Sequence, residues 1–334
     1  MRKLRVALIY GGSGHEHEVS KMGAKNLLPK FDRRRLTVYP IFIDKRGIWH
    51  NGGERGERVT PCRDTRGGVL SSESGNLSVD VAFPLLHGDF GEDGRIQGSL
   101  DTAHIPYIGC DVRAGAVCAD KLLTKRVADS LGIPSAASML AYSTDRDAKK
   151  NAEEKIGYPM FLKPSGLGSS VGCSLVLSSD MFDEAFSRAA ECDSRVLVEE
   201  YVEGARELEC AYLGTKRFGE IYAHPGEVIT RGVYTYREKY GKDSHATAVV
   251  RADIPESVAV LAEEYSRRLV REIGISEIAR IDYFLKDGEL LLNEINTMPG
   301  FTSSSLYSAM LSECGIDTSE LLTALIEDAY DRCF

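Results

Sequence analysis

The sequence predicts an α/β protein divided into two or three subdomains, and three observations carry that expectation. The chain has 334 residues, more than one hydrophobic core usually organises. Its first 43 residues read strand, glycine turn, helix, strand, the pattern of a parallel βα unit. Near its end, two short extended runs are joined by Asp287-Gly288, a hairpin signal that adds antiparallel pairing to the second half.

Taken in order, residues 4–10 read as a buried strand, Gly11-Gly12-Ser13-Gly14 as its turn, 19–30 as a helix and 36–43 as a parallel strand. The G-x-G-x-x-G fingerprint of dinucleotide binding is not met, because the third glycine is missing and His15-Glu16-His17-Glu18 stands in its place. Glu16 is either a polar helix entry or, at the carboxyl end of a strand, a partner for a substrate ammonium group. Residues 46–76 are rich in Gly, Arg, Glu and Ser and predict edge structure and loops. A second buried strand at 79–86 runs into His87-Gly88-Asp89-Phe90-Gly91-Glu92-Asp93-Gly94, where His87 either binds a ligand or holds the loop.

Residues 109–111 mark a boundary. An amphipathic helix opens at Ala119-Asp120-Lys121 and stops at Gly132-Ile133-Pro134. Lys121 in the first turn opposes the helix dipole, which a phosphate partner would resolve. A strand at 139–142, a helix at 145–156 and a strand at 160–164 lead to Ser165-Gly166-Leu167-Gly168-Ser169-Ser170-Val171-Gly172. This is not a Walker A motif, since its lysine, Lys163, precedes the glycines; it is a plain strand connection or a loop that folds over phosphates. The strand at 195–200 ends beside Val202, offering exposed backbone and an apolar wall such as an adenine needs. Strands at 207–213 and 218–223 precede a Tyr-rich polar segment, 226–246, expected to be a mobile lid with Lys239 and Tyr240 at its tip. Helices follow at 256–273, 303–314 and 318–332.

Composition narrows the function classes. With 43% hydrophobic, 27% charged and 8% aromatic residues, the chain is an ordinary globular one. A formal charge of −9 argues against nucleic acid or an anionic membrane as partner. No apolar run approaches the ~20 residues of a membrane span, and the run at the N-terminus is too short for an export signal, so a cytoplasmic location is expected. The eight cysteines, scattered without a C-x-x-C pair, read as packed thiols and receive no role.

Chemistry concentrates in residues 280–306. Period-two alternation puts Arg280 and Asp282 on one face of the first hairpin strand, and Glu294 and Asn296 on one face of the second. Three oxygen ligands that form an incomplete cage suit Mg²⁺ carrying nucleotide phosphates. Arg280 beside them can stabilise charge on a reacting oxygen. The Pro299-Gly300 turn then opens into hydroxyl residues and a helix start, a ready anion site.

The blocks HEHEVS around Glu16, LLHGDFGEDG around His87, Asp120-Lys121, KPSGLGSSVG from Lys163, EKY at Lys239-Tyr240, RID at Arg280 to Asp282 and NEINTMPGFTS from Asn293 together resemble the D-alanine:D-alanine ligases of the ATP-grasp superfamily. The likeness runs in order along nearly the whole chain. It implies a three-subdomain ATP-grasp fold with nucleotide between two sheets: a Rossmann-like domain over 1–112, a central subdomain over 113–204 and a C-terminal subdomain over 205–334. It implies ATP contacts at Lys121, Lys163, Glu199, Val202, Glu207 and Lys239, and two Mg²⁺ ions, replaceable by Mn²⁺, on Asp282, Glu294 and Asn296. Glu16 is similar to the residue receiving the first D-alanine's ammonium, with Ser169 and Tyr240 hydrogen-bonded to it. Arg280 and the Gly300 N–H resemble an oxyanion site, and Ser305 with the Leu306 N–H a carboxylate site for the second D-alanine, near His87. A homodimer is usual in the family.

The sequence departs from the family pattern at Gly166-Leu167, where charged residues are common, at Ser304, where a His is common, and by one extra residue near Ala205 that sets Glu207 against Glu209 as the ribose ligand. Three functions follow: D-alanyl-D-alanine synthesis for peptidoglycan; joining of D-alanine to D-lactate or D-serine, as in vancomycin-resistance relatives; or an ATP-binding regulator without catalysis. Lys239-Tyr240 speaks against the lactate type, Leu306 in place of an Arg against both resistance types, and the complete metal set with Arg280 against the regulator.

Overall fold

The computed structural model describes residues 2–65, 67–229, 247–302 and 305–332, which build three sheets with helices packed between and around them. The chain begins β1 (Leu4–Gly11), α1 (His17–Leu27), β2 (Leu36–Ile43), β3 (Trp49–Asn51), β4 (Glu57–Asp64), β5 (Gly67–Ser72), β6 (Gly75–Ser78) and β7 (Val81–Pro84). Their order in the sheet is β6-β5-β4-β3-β2-β1-β7. β1 runs parallel to β2 and β7, and Val6, Ala7, Leu8 and Ile9 are all buried, as a strand covered on both faces requires. Residues 46–76 do form the sheet's edge, but as four antiparallel strands where loops were expected. β3 and β6 are short, β4 is largely exposed or half-buried and β5 buries three residues in a row, so their hydrophobic alternation is faint.

The middle of the chain contributes α2 (Arg95–Thr102), α3 (Val112–Ala119), α4 (Lys121–Ser130), β8 (Ser138–Tyr142), α5 (Ala148–Lys155), β9 (Met160–Pro164), β10 (Ser174–Val176), α6 (Phe182–Cys192) and β11 (Arg195–Glu200). The second sheet has the order β10-β9-β11-β8, all antiparallel. Among the described residues three helices escaped the sequence reading: α2, α3 and α6. Asp111 opens α3 by accepting the Ala114 N–H at 2.9 Å, a cap hidden inside what read as a boundary. In α6, Phe182, Ala185 and Ala189 repeat at helical spacing and bury against Met160, Leu162 and Val196.

The last third contains β12 (Arg206–Thr215), β13 (Gly219–Tyr222), β14 (Gly226–Ile229), β15 (Thr247–Val249), α7 (Glu256–Ile273), β16 (Ile278–Lys286), β17 (Glu289–Asn296), α8 (Leu306–Glu313) and α9 (Thr318–Asp331). The third sheet has the order β15-β14-β12-β16-β17, with β13 paired to β12. The start of the expected lid therefore belongs to this sheet, since residues 226–229 pair with β12 and β15. The remainder of that segment, with Lys239 and Tyr240, lies outside the described residues, as does Ser304. Asp287 and Gly288 both take left-handed backbone (φ +50° and +86°), the pair of angles a two-residue hairpin turn demands.

Among the described residues four hydrophobic cores hold the sheets in place. α3 and α4 pack on the third sheet, with Ala114, Cys118 and Ala128 against Leu208, Ile281 and Leu292. α8 and α9 reach back to the first sheet, placing Tyr307, Leu322 and Leu325 in one core with Leu8 and Phe83. Cys110, Cys118 and Cys210 are buried, and burial pushes the Cys110 thiol up to about 12, as packed hydrophobic thiols require. Among the described residues no helix is long and apolar enough to cross a membrane.

Candidate active site

Two adjoining cavities, of about 990 Å³ and about 390 Å³, open where the three sheets meet, and both are lined by Lys121, Gly168, Ser169 and Glu294. The larger is also lined by Glu16, His87, Arg280, Asn296, Gly300, Ser305 and Leu306. The smaller is lined by Lys163, Glu199, Val202 and Glu207. Of the expected residues within the described part of the chain, only Asp282 lines neither cavity.

Asp282 is buried under Arg280. The Arg280 Nε and Nη2 donate to its two oxygens at 2.8 and 2.7 Å, and Asn296 Nδ2 donates at 3.0 Å. Cross-strand register explains the cluster, for Arg280 faces Asn296 and Asp282 faces Glu294. A bulge follows Asp282, where the register passes from Glu294 to Leu292 and leaves Asn293 as the extra residue. Neighbouring strand residues normally point to opposite faces, yet Asn293 and Glu294 both line the smaller cavity, and Asn293 Oδ1 accepts from Lys163 at 3.4 Å. Asn293 was missed as a site residue; two adjacent polar residues in a buried strand were its signal.

Glu209, from β12, sits 3.3 Å from Arg280 and lines the larger cavity, whereas Glu207 lines the smaller one. Of the two glutamates, Glu207 is the one beside the expected nucleotide contacts. Burial opposes the charge on Arg280, but Asp282 and Glu209 outweigh it and hold the guanidinium firmly protonated.

Two carboxylates and an amide make a hard-oxygen donor set of the kind Mg²⁺ takes, with Glu294 at the seam of the two cavities, Asn296 on the larger one and Asp282 buried behind them. Among the described residues no group of three His, Cys, Asp or Glu side chains is gathered as a metal cluster. The residues present fit the ion in chemistry, with Arg280 on Asp282 and Lys121 on Glu294 (3.3 Å) compensating the carboxylates.

Glu16 stands at the N-terminus of α1, and its carboxylate accepts a hydrogen bond from the Ser169 hydroxyl of the glycine-serine loop. Room for it comes from glycine: a Cβ on Gly88 would lie 2.2 Å from Glu16 Oε2, and one on Gly168 3.1 Å. Ser169 and Ser170 hold left-handed backbone (φ +51° and +57°), local strain of the kind that collects at functional loops. His87 does both things its sequence context allowed. Its Nδ1 bonds the Met298 carbonyl at 3.0 Å, which ties the Pro299-Gly300 turn to the first domain's loop, and its ring lines the larger cavity. Glu92, 3.8 Å from His87, also lines that cavity and went unassigned; it belongs to the same loop motif. Burial raises the Glu92 carboxyl above its ordinary range, and burial's opposite pull on His87 is outweighed by Glu92, so the imidazole is raised too.

Lys121 Nζ donates to the Leu167 carbonyl at 2.6 Å, and its neighbour Asp120 caps α4 through the Leu122 and Leu123 amides. Asp120 also bonds Ser165 Oγ and Arg195, so the start of the loop and the start of the helix share one anchor. Lys163 lies 2.6 Å from Glu199 and keeps a raised pKa: burial opposes its charge, and Glu199 and Glu294 prevail. At the far end, Ser305 precedes α8, so the first turn of that helix opens onto the larger cavity, and the Ser305 hydroxyl bonds the Gly300 carbonyl.

Residues 5–110 match the family described as D-ala D-ala ligase N-terminus, and residues 127–327 match D-ala D-ala ligase C-terminus. A D-alanine--D-alanine ligase A from Mesorhizobium japonicum is 38% identical over 99% of this chain and 98% of its own length. Among solved structures, the D-alanyl-alanine synthetase A from Vibrio cholerae matches with a TM-score of 0.90 at 32% identity, covering 99% of both chains. The VanG D-Ala:D-Ser ligase from Enterococcus faecalis matches at 0.87 and 30%, over 98% of this chain and 100% of that one. The three-sheet architecture is the ATP-grasp fold these ligases share. Sequence, fold and cavity chemistry agree that the chain belongs to the D-alanine:D-alanine ligase family.

Proposed function

We propose that this protein joins two molecules of D-alanine to D-alanyl-D-alanine, using ATP and passing through an acyl phosphate, in the synthesis of peptidoglycan precursors. The observation that carries the reading is the shared seam: Glu294, Lys121 and Ser169 line both a cavity suited to amino acids and one suited to a nucleotide. A carboxylate made reactive by phosphate from one side can meet an amine from the other only in such an arrangement.

Glu16 receives the ammonium group of the first D-alanine and, held by Ser169, fixes which way its carboxylate points. An oxygen of that carboxylate attacks the γ-phosphorus of ATP, the bond to the bridging oxygen breaks, and ADP leaves. Lys121 and Lys163 offset the charge that develops on the phosphates. Asp282, Glu294 and Asn296 would hold Mg²⁺, which when bound supplies further charge neutralisation at the phosphate oxygens. The amine of the second D-alanine, its carboxylate at Ser305 and the first turn of α8, then attacks the acyl carbon. Arg280 and the Gly300 N–H stabilise the oxyanion, which collapses with loss of phosphate, the amine's proton passing to the departing phosphate, to leave the amide. Glu199, Val202 and Glu207 line the wall assigned to the adenosine. The reading includes a cytoplasmic homodimer.

A second reading, D-alanine joined to D-serine, draws support from the likeness to VanG. Leu306 at the helix start, where an Arg would be expected for that type, favours D-alanine. The test is release of phosphate from ATP by the purified protein, which should require D-alanine. Equal turnover with L-alanine, or faster turnover with D-serine or D-lactate as second substrate, overturns the assignment.

A further inference from the structure

Lys125 stands one turn beyond Lys121 on α4, and its side chain is 4% exposed. Its ammonium lies 3.0 Å from one oxygen of Glu199, whose other oxygen lies 2.6 Å from Lys163. Neither the Lys125 ammonium nor the Glu199 oxygen facing it has an aligned hydrogen bond among the described residues. Lys163 and Glu199 line the smaller cavity and Lys125 does not. One buried carboxylate is therefore shared between two buried ammonium groups, one on the cavity wall and one behind it.

A buried lysine is costly unless it does something for a neighbour. A lone Glu199–Lys163 pair would cancel its own charge and draw Lys163 onto the carboxylate. Lys125 brings a second ammonium to the same carboxylate; burial lowers its pKa and Glu199 opposes that pull, so the trio carries a surplus positive charge that meets the cavity at Lys163. Burial would raise the Glu199 carboxyl, but the two lysines lower it below its ordinary value, so it remains the anion both need. The surplus is on the side where the phosphates of a nucleotide would enter.

We propose that Lys125 is a positioning residue for nucleotide phosphates: acting through Glu199 without touching the ligand, it keeps the charge of Lys163 available to ATP. The proposal rests on the smaller cavity being the nucleotide pocket. Its test is binding of ATP, ADP and adenosine to the full-length wild type, Lys125→Met and Lys125→Arg, with KM for ATP and for D-alanine measured alongside.

Lys125→Met should weaken ATP and ADP by about tenfold and raise the KM for ATP similarly, as loss of one shared buried charge contact implies. Adenosine binding and the KM for D-alanine should stay within about twofold, and Lys125→Arg should recover most of the loss. Equal weakening of adenosine, no weakening of ATP, or failure of both variants to fold overturns the proposal. If wild type binds neither ATP nor ADP, the nucleotide pocket itself is misassigned; if wild type binds both and Lys125→Met matches it, only the role of Lys125 falls.

Discussion

Ser169 reaches across 153 positions of sequence to hydrogen-bond Glu16, joining the glycine-serine loop of the second sheet to the first helix of the chain. The bond brings two distant segments together on the wall of the larger cavity. Replacing Glu16 by Gln removes the charge proposed to meet the substrate ammonium while preserving shape. The KM for the first D-alanine should rise by roughly 10- to 100-fold, the range for a lost hydrogen bond between charged groups. Ser169→Ala should produce a smaller rise in the same constant. Initial rates at varied D-alanine check both, and an unchanged KM in Glu16→Gln would remove the ammonium role.

Gly88 makes that position of Glu16 possible. A methyl at residue 88 meets Glu16 Oε2 at 2.2 Å and must also adopt φ +65°, whereas Gly132 has the same φ with nothing within 4 Å. Gly132→Ala should cost only the backbone term, roughly 1 kcal/mol of stability, with activity intact. Gly88→Ala should show a comparable stability loss and, in addition, a fall of about tenfold or more in kcat/KM for D-alanine, because the carboxylate must move. Urea denaturation and steady-state rates on the two variants separate strain from displacement; matching activities would deny Gly88 its role.

Arg280 is placed by β16 against Asp282 and Glu209, which keep it charged at any working pH. Arg280→Ala should lower kcat by about 10² or more, the typical cost of one oxyanion donor. A near-normal kcat would reassign the guanidinium to holding Asp282 in place.

The pH dependence of stability should carry the mark of Glu277. This carboxyl bonds the Gly109 N–H at 2.6 Å and lies 2.9 Å from Arg332, yet burial prevails and raises it from an ordinary 4.5 to about 7. Between those values the folded protein holds a proton that the unfolded chain has released. Stability from this group is thus complete below about 4.5 and lost as the pH climbs through about 7, by roughly 3 kcal/mol. Glu277→Gln keeps an acceptor for Gly109 and should lack this loss. Urea midpoints at pH 5 and pH 8 for both proteins check it; parallel profiles would contradict it.

The sequence made the site more legible than the scaffold, for physical reasons. Arg280, Asp282, Glu294 and Asn296 lie on one hairpin, so strand alternation and an Asp-Gly turn suffice to bring them together. The parallel start of the first sheet was equally plain, because β1 is apolar on both faces. Long-range partners were different. Nothing local in Glu16 or Ser169 indicates that they meet, and only the family likeness linked them. Asn293 was concealed by a bulge, a one-residue shift that leaves hydrophobic periodicity almost unchanged. Lys125 reads as an ordinary polar position on an amphipathic helix until Glu199 is seen beside it. The edge strands at residues 49–78 were blurred because short or half-exposed strands, and one that buries three residues in a row, lack the contrast that alternation needs.

Labelling the carboxylate of D-alanine with ¹⁸O and analysing the released phosphate by mass spectrometry tests the central claim most directly. Attack of a carboxylate oxygen on ATP, followed by displacement by an amine, must carry one labelled oxygen into each phosphate and leave the other in the new amide. Phosphate bearing one ¹⁸O, formed together with a labelled dipeptide, is the predicted result. Unlabelled phosphate alongside dipeptide would contradict the acyl-phosphate route.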